Sequence, residues 1–241
     1  MQNGFYVGLS AQTSLARRLE TIADNVANMN TVGYRATGIS FAAEVMRTGE
    51  RQTSFARAGS EYLSLRAGAL VRTDNSLDLA IQGDSWFAVM GPNSVSYTRD
   101  GRMRISASGA LETLTGGKVL DAGGAPIVLD PAGGAPVIAE DGMISQDGRR
   151  IGAVGLFTIP EDAKLARTEN SSVVPDKPAT AALDFTRNRV AQGWVEQSNV
   201  NPIVEMTKLI SVTRSFDGLS TGMSEMDASL RDAIKTLGGQ A

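Results

Sequence analysis

Residues 209–237, LISVTRSFDGLSTGMSEMDASLRDAIKTL, repeat an apolar side chain at alternating steps of three and four residues. This spacing predicts a long amphipathic α-helix with one continuous apolar stripe, called the seam below. Asn201 can cap the first free N–H groups of this helix, and Pro202 suits its first turn. The pair Gly238-Gly239 predicts its end. The seam positions are Leu209, Val212, Phe216, Leu219, Met223, Met226, Leu230, Ala233 and Leu237.

The N-terminal segment shows the same alternation over fewer turns. Its apolar positions are Leu15, Leu19, Ile22, Val26 and Met29. The Asn and Gly residues within 28–33 predict the end of this helix, because both accept the left-handed conformation that closes a helix. Matching seams at the two ends favour a coiled coil that packs against other copies. The alternative is that both helices pack on the chain's own domain.

The middle of the chain has the pattern of β-structure. Residues 76–160 contain short apolar runs separated by turn residues, and the pairs Asp100-Gly101 and Asp147-Gly148 both predict hairpin turns. The segment AGGAPIVLD at 122–130 recurs as AGGAPVIAE at 132–140, which suggests two successive strand–turn units. Residues 36–75 show only weak periodicity and are interpreted as an extended connector.

The predicted fold class is therefore α+β, with a central domain of short antiparallel strands between two terminal helices. We expect residues 1–35 and 198–241 to form a helical coiled-coil domain. The connector occupies 36–75, and the β-rich domain occupies 76–197.

Composition argues against an enzyme. The 241 residues include no histidine and no cysteine, which removes Ser-His-Asp and thiol catalysis as well as the usual zinc sites. Lys and Arg number 23 against 26 Asp and Glu, a net charge of −3 that does not favour nucleic-acid binding. No phosphate loop or calcium loop is complete, so we expect no cofactor, metal or small-molecule substrate. The sequence also predicts no cleaved signal and no transmembrane segment.

Four segments, in order along the chain, resemble the bacterial flagellar rod and hook proteins. The first resembles the family's N-terminal signature, and the next is similar to the start of its β-domain. The third is similar to the hairpin that follows, and the fourth resembles the mark before the C-terminal helix. They are RRLETIADNVANMNTVGYR at 17–35, LDLAIQGDSWF at 77–87, YTRDG at 97–101 and VEQSNV at 195–200.

Within the family, the opening FYVGLS at 5–10, followed by RRLE at 17–20, most resembles the proximal-rod member. The distal-rod member is the alternative, and a secreted oligomeric binding module is an alternative of another class. The resemblance implies a structural subunit that leaves the cytoplasm unfolded through the flagellar export apparatus. It also implies self-assembly, together with other rod proteins, into a helical tube that carries motor torque across the periplasm.

The candidate functional residues are therefore those that would hold subunits together. Asn25 and Asn28 flank the seam and either set its register through buried hydrogen bonds or cap the helix. Gly33 is predicted to form a required turn, so Gly33→Ala should block assembly if its φ is positive. Asn201 and Pro202 start the second helix. The predicted subunit-interface residues are Leu15, Leu19, Ile22, Val26, Leu209, Val212, Phe216, Leu219, Met223 and Leu230.

Overall fold

The structure is a computed structural model that describes residues 2–48, 51–91, 94–168 and 171–239. It has the predicted α+β class, with helix α1 at Gln2–Ala27, helix α2 at Pro202–Gly238 and eighteen strands between them in the described residues. The chain divides into two compact units. Unit 1 comprises Met1–Ala27, Thr37–Tyr62 and Asn201–Ala241, and unit 2 comprises Asn28–Ala36 and Leu63–Val200.

In unit 1, the two helices pack against each other. A Cβ atom placed on Gly8 would lie 3.1 Å from the Met223 side chain, and Asn25 reaches Glu205, so the helices run antiparallel. The predicted cap is confirmed, because the Asn201 side chain accepts hydrogen bonds from the N–H groups of Ile203 and Val204 at 3.1 and 3.2 Å. Over the residues that the structure describes, neither helix is long and apolar enough to cross a membrane.

The connector predicted over 36–75 contains paired strands. Strands β1 (Thr37–Thr48) and β2 (Arg51–Leu63) form a two-stranded sheet in unit 1, and β3 (Leu70–Arg72) follows in unit 2. The backbone is extended, as expected. Along their shared edge, β1 and β2 supply each other's backbone hydrogen-bond partners. The local sequence pattern does not predict this pairing.

Unit 2 is built from short antiparallel strands. The strands after β3 are β4 (Leu79–Gln82), β5 (Trp86–Met90), β6 (Val95–Thr98), β7 (Met103–Ile105), β8 (Leu111–Thr113), β9 (Lys118–Val119), β10 (Val137–Ile138), β11 (Met143–Gln146), β12 (Arg149–Ala153), β13 (Leu156–Thr158), β14 (Leu165–Arg167), β15 (Val173–Pro175), β16 (Thr180–Ala181), β17 (Arg189–Gln192) and β18 (Trp194–Glu196). The largest sheet has the order β14-β15-β6-β5-β9-β8-β7, with β13 bridging β5 and β16. Smaller sheets pair β10-β11-β12, β17-β4 and β18-β3.

Inward side chains of these strands and of the segments between them form one hydrophobic core. Burying such apolar surface is the main stabilising contribution for a unit of this kind. The core side chains are Leu79, Ile81, Phe87, Met103, Leu111, Val119, Ile127, Leu129, Ile138, Ile144, Val154, Leu156, Ala182 and Val190.

The two predicted Asp-Gly turns have different outcomes. Asp147 (φ 50°) and Gly148 (φ 75°) join β11 to β12 as an antiparallel hairpin, which confirms the prediction there. The hairpin predicted at Asp100-Gly101 is wrong, because β6 pairs with β5 and β15 while the next strand, β7, pairs with β8. Gly101 instead serves a close approach, since a Cβ atom there would lie 1.6 Å from the Leu79 carbonyl oxygen.

Candidate functional site

The predicted seam residues lie on the shielded face of each helix. Ile22 and Val212 are buried, and the neighbouring positions on the outer face of α2 are exposed. The alternation read from the sequence therefore matches the burial along α2 as far as Met226, because α1 shields one side of that helix. Half-buried members are Leu15, Leu19, Val26, Leu209, Phe216, Leu219 and Met223. The side chain of Leu230, also predicted, lies outside the described residues.

A buried polar group interrupts the seam in unit 1. The Asn25 side chain, only 2% exposed, donates to the Thr37 carbonyl and accepts from the Thr37 N–H, both at 2.9 Å. Its amide nitrogen also lies 3.4 Å from Oε2 of buried Glu205, and Oε1 of that carboxylate accepts from Lys208 Nζ at 2.6 Å. Asn25 thus links α1, the start of β1 and α2, which is the kind of contact expected of a register-setting residue.

Asn28 occupies a different position. Its side-chain oxygen accepts from the Thr31 hydroxyl at 3.2 Å, and its carbonyl accepts from the Thr31 N–H at 3.1 Å. These bonds lie within the turn that follows α1, so they match the capping alternative rather than the register alternative.

We predict that Asn25→Ala lowers the free energy of unfolding by about 1–3 kcal/mol, because it leaves the Thr37 backbone groups and the buried Glu205 carboxylate with fewer partners. Urea unfolding of the purified chain measures the change. Asn28→Ala is the matched control and is expected to have a smaller effect, since Asn28 is half-buried in a turn. Equal losses for the two variants would refute the special role of Asn25.

The outer face of the helices carries large apolar side chains in contact with solvent. Ile203 is 77% exposed and Ile210 is 55% exposed, and with Met206 they lie three and four residues apart, on the side of α2 opposite the seam. Tyr6 and Leu9 of α1 and Ile234 of α2 are also exposed. Exposed apolar side chains in regular spacing are typical of a surface that another protein covers.

Unit 2 contains a buried cluster of charges that the sequence pattern did not predict. Glu196 pairs with two arginines: Arg35 Nη2 lies 2.8 Å from Oε1 and Arg99 Nη1 lies 3.0 Å from Oε2. All three side chains are 2% exposed. The Cζ atoms of Arg35 and Arg99 lie 5.7 and 5.5 Å from the centroid of a Trp86 ring, within reach of a cation–π interaction. We call these four residues the ion cluster.

The ion cluster carries a net positive charge in a site shielded from water. Burial lowers the pKa of Arg99 to about 10 and also lowers the pKa of Arg35, while the Glu196 carboxylate opposes both shifts. Arg99 therefore stays charged at neutral pH. Its guanidinium also donates to the carbonyls of Ile81 at 3.3 Å and Gly83 at 2.6 Å, which spread the excess charge over backbone dipoles.

Gly33 lies against this cluster and meets the condition of a positive φ. Its φ is 70°, and its N–H donates to the Glu196 carbonyl at 2.7 Å. A Cβ atom at this position would lie 2.3 Å from the Asp100 nitrogen and 2.5 Å from the Arg99 carbonyl carbon. Both the backbone angle and the lack of space therefore require glycine.

Each of the four family-like segments contributes one residue to the ion cluster. Arg35 comes from the segment at 17–35, Trp86 from 77–87, Arg99 from 97–101 and Glu196 from 195–200. The sequence signal that was available is weak, because Arg99 is followed by Asp100 and the segment at 17–35 contains other charges besides Arg35. That signal does not show which charges meet, because the residues are far apart in the chain.

Family comparison agrees with the resemblance. Residues 5–35 match the model described as "Flagella basal body rod protein", residues 80–149 match "Flagellar hook protein FlgE/F/G D1 domain", and residues 191–236 match "Flagellar basal body rod FlgEFG protein C-terminal". Together these matches include most of both helices and the front of unit 2.

Relatives that match over nearly their whole length are also named flagellar basal-body rod proteins. The chain is 47% identical to the flagellar basal-body rod protein FlgF of Mesorhizobium japonicum, with all of both chains covered. It is 44% identical to FlgF of Rhizobium meliloti over 99% of each chain, and 26% identical to FlgG of Bacillus subtilis over 97% of this chain and 98% of the relative. The chain therefore belongs to the flagellar basal-body rod protein family as a structural rod subunit, and it is most like FlgF.

Proposed function

We propose that this subunit lies in the proximal rod and assembles, with other copies and other rod proteins, into a helical tube that transmits motor torque across the periplasm. The observation that carries the proposal is the exposed apolar face of α2, because Ile203, Met206 and Ile210 find no cover within the described part of the chain. Neighbouring subunits would bury this face, which gains about 25 cal/mol for each Å² of apolar surface removed from water.

The terminal helices are proposed to act as a coiled coil in the inner layer of the tube. Heptad spacing in both helices, their antiparallel packing and the buried Asn25–Glu205 contact support this arrangement. The seam residues Leu15, Leu19, Ile22, Val26, Leu209, Val212, Phe216, Leu219, Met223 and Leu230 would hold the two helices together. Most of these side chains are only half-buried, and adjacent copies would cover the part that remains exposed. Unit 2 would form an outer layer.

The proposed route to this place is export of the unfolded chain through the flagellar export apparatus, without a cleaved signal. Family membership supports this route. The FlgF relatives favour the proximal position over the distal position of FlgG. They also favour a rod subunit over the alternative of a secreted binding module.

Cysteine labelling tests whether the α2 face is covered, because the chain has no cysteine of its own. Ile203→Cys and Ile210→Cys should react rapidly with a maleimide in the purified subunit and be protected in isolated rods. Leu183→Cys is the control, since Leu183 is 82% exposed but belongs to unit 2. Equal reactivity of the two α2 cysteines in subunit and rod would refute the proposed packing.

Deletion of the gene tests the place in the rod. Cells that lack the protein should form truncated rods and fail to swim, and the intact gene should restore both. Electron microscopy of basal bodies shows where the rod stops, which separates a proximal from a distal subunit. Complete rods in the deletion strain would overturn the proposal.

A further inference from the structure

The chain enters or leaves unit 2 at four places. These lie next to Asn28, Ala36, Leu63 and Val200. Any force that travels along the covalent chain between unit 2 and the helices must pass through these four segments. How firmly these segments are held within unit 2 therefore determines the stiffness of the connection that transmits the force.

Asn199 joins three of these segments through one side chain. Its Oδ1 accepts from the Ala36 N–H at 2.7 Å, and its Nδ2 donates to the carbonyls of Ser64 at 3.2 Å and Arg66 at 2.7 Å. The Asn199 N–H also donates to the Tyr34 carbonyl at 3.3 Å. The oxygen and the nitrogen of the Asn199 amide group therefore both bind backbone. They connect the segment before β1 and the segment after β2 to the segment of Asn199 itself, which precedes α2.

Glu196 extends these connections on the side of the ion cluster. Its Oε1 accepts from the Gly68 N–H at 2.8 Å, and its carbonyl accepts from the N–H of Gly33, in the segment that leaves α1. Gly68 packs so closely that a Cβ atom there would lie 1.8 Å from the Gln197 carbonyl oxygen. Arg35 additionally donates to the Arg66 carbonyl. All four exits from unit 2 are therefore tied to residues 196–199.

We propose that residues 33–36, 64–68 and 196–199, called the clasp, are a positioning element that transmits torque between the β-structure and the terminal helices. In this role Asn199 and Glu196 keep the four exits at fixed spacing, so that a force on one segment is shared by the others. Hydrogen bonds that share one side chain and bridge several chain segments must break together when the segments separate, whereas independent bonds would break one at a time. The inference rests on the proposed rod function, because torque acts only on an assembled subunit.

Asn199→Ala tests the clasp, and Asn188→Ala is its matched control. Both residues are half-buried in unit 2, and both side chains bond to three backbone groups. Asn188 accepts from the N–H groups of Asp84 and Ser85 at 3.1 Å and donates to the Asp184 carbonyl at 3.3 Å, away from the four exits. Asn199 makes one bond more, because its Nδ2 also lies 3.3 Å from the Ser64 hydroxyl oxygen. A difference between the variants that exceeds the effect of one bond therefore reports the position of the bonds.

The first readout is amide hydrogen exchange in the purified full-length subunit. Asn199→Ala should speed exchange of the Gly33, Ala36 and Gly68 amides together by about tenfold or more, since several bonds are lost at once. Asn188→Ala should leave these three amides unchanged. Faster exchange at Ala36 alone would overturn the clasp as a cooperative element.

The second readout is motility under increasing viscous load, in a deletion strain that carries each variant. Cells with Asn199→Ala should form rods in normal number and swim in dilute medium. They should lose swimming in polymer-thickened medium, where wild-type and Asn188→Ala cells still swim, and their rods should break more often. If Asn199→Ala protein does not accumulate in folded form, Asn199→Ser, which keeps one hydroxyl, takes its place in both readouts.

The two proposals fail in different ways. Equal load dependence for the Asn199 and Asn188 variants, with wild-type protein present in the rods, would overturn the clasp alone. Absence of the wild-type protein from the rods would overturn the proposed function, and the exchange result would then decide whether the clasp exists as a structural element.

Discussion

Glu196→Gln is expected to cause one of the two largest losses of stability among single substitutions in this protein. The change removes the carboxylate that pairs with both buried guanidinium groups, those of Arg35 and Arg99. Breaking a buried ion pair by removing one partner costs about 3–5 kcal/mol, because an uncompensated charge stays out of water. Urea or thermal unfolding of the purified chain should therefore show a large drop in the free energy of unfolding.

Two features of the ion cluster prevent other groups or water from replacing the lost Glu196 carboxylate. The Nε atoms of both arginines already lack a hydrogen-bond partner within the described residues. The Trp86 ring occupies the space beside the guanidinium groups and is itself buried, so water has no ready access to them.

Glu140→Gln provides the control for this prediction. Glu140 pairs with Arg189 at 3.2 Å, but both side chains are largely exposed, and pairs of this kind contribute about 0–1 kcal/mol. A loss for Glu196→Gln as small as that for Glu140→Gln would show that the cluster tolerates a buried charge without its counterion.

Gly33→Ala is expected to give the other largest effect, with an unfolding free energy lower by about 3–6 kcal/mol. One part of this loss comes from holding alanine at a φ of 70°. The other comes from the clash of the new Cβ with the Asp100 nitrogen at 2.3 Å, where backbone and not a movable side chain is in the way. Because the turn must shift, the bond from Gly33 to Glu196 should also weaken, and the variant should fail to support rod assembly and motility.

Gly148→Ala separates the two contributions. Gly148 has a similar φ of 75°, but nothing lies within 4 Å of its ideal Cβ position. This control should lose only about 1–2 kcal/mol through backbone strain. Similar unfolding curves for the two variants, or a fully motile Gly33→Ala strain, would contradict the close approach to Asp100.

The elements that sequence alone determined are those set by neighbouring residues. The extent of α2 follows from its heptad repeat, its start from Asn201 and Pro202, and the β11–β12 hairpin from Asp147-Gly148. In each case the interacting groups lie within a few residues of each other, so the local sequence is sufficient to predict the element. A turn at Gly33 was also predicted from local sequence, but its positive φ and the backbone packed against it were shown by the structure.

The tertiary structure decided which distant groups meet. Asp100-Gly101 has the same dipeptide as the confirmed hairpin, yet β6 and β7, which flank it, pair with other strands and not with each other. Residues 37–48 and 51–63 pair with each other although their local periodicity is weak. Asn25 had two interpretations in the sequence, and its packing against Thr37 and Glu205 distinguishes it from Asn28.

The ion cluster and the clasp depend most strongly on the tertiary structure. Arg99 and Glu196 are 97 residues apart, and Ala36 and Asn199 are 163 apart. The sequence contained these residues within segments typical of the rod family, and it was sufficient to identify the family. It could not show that the segments converge, because a buried charge becomes favourable only when the folded backbone brings its counterion and its hydrogen-bond partners to the same place.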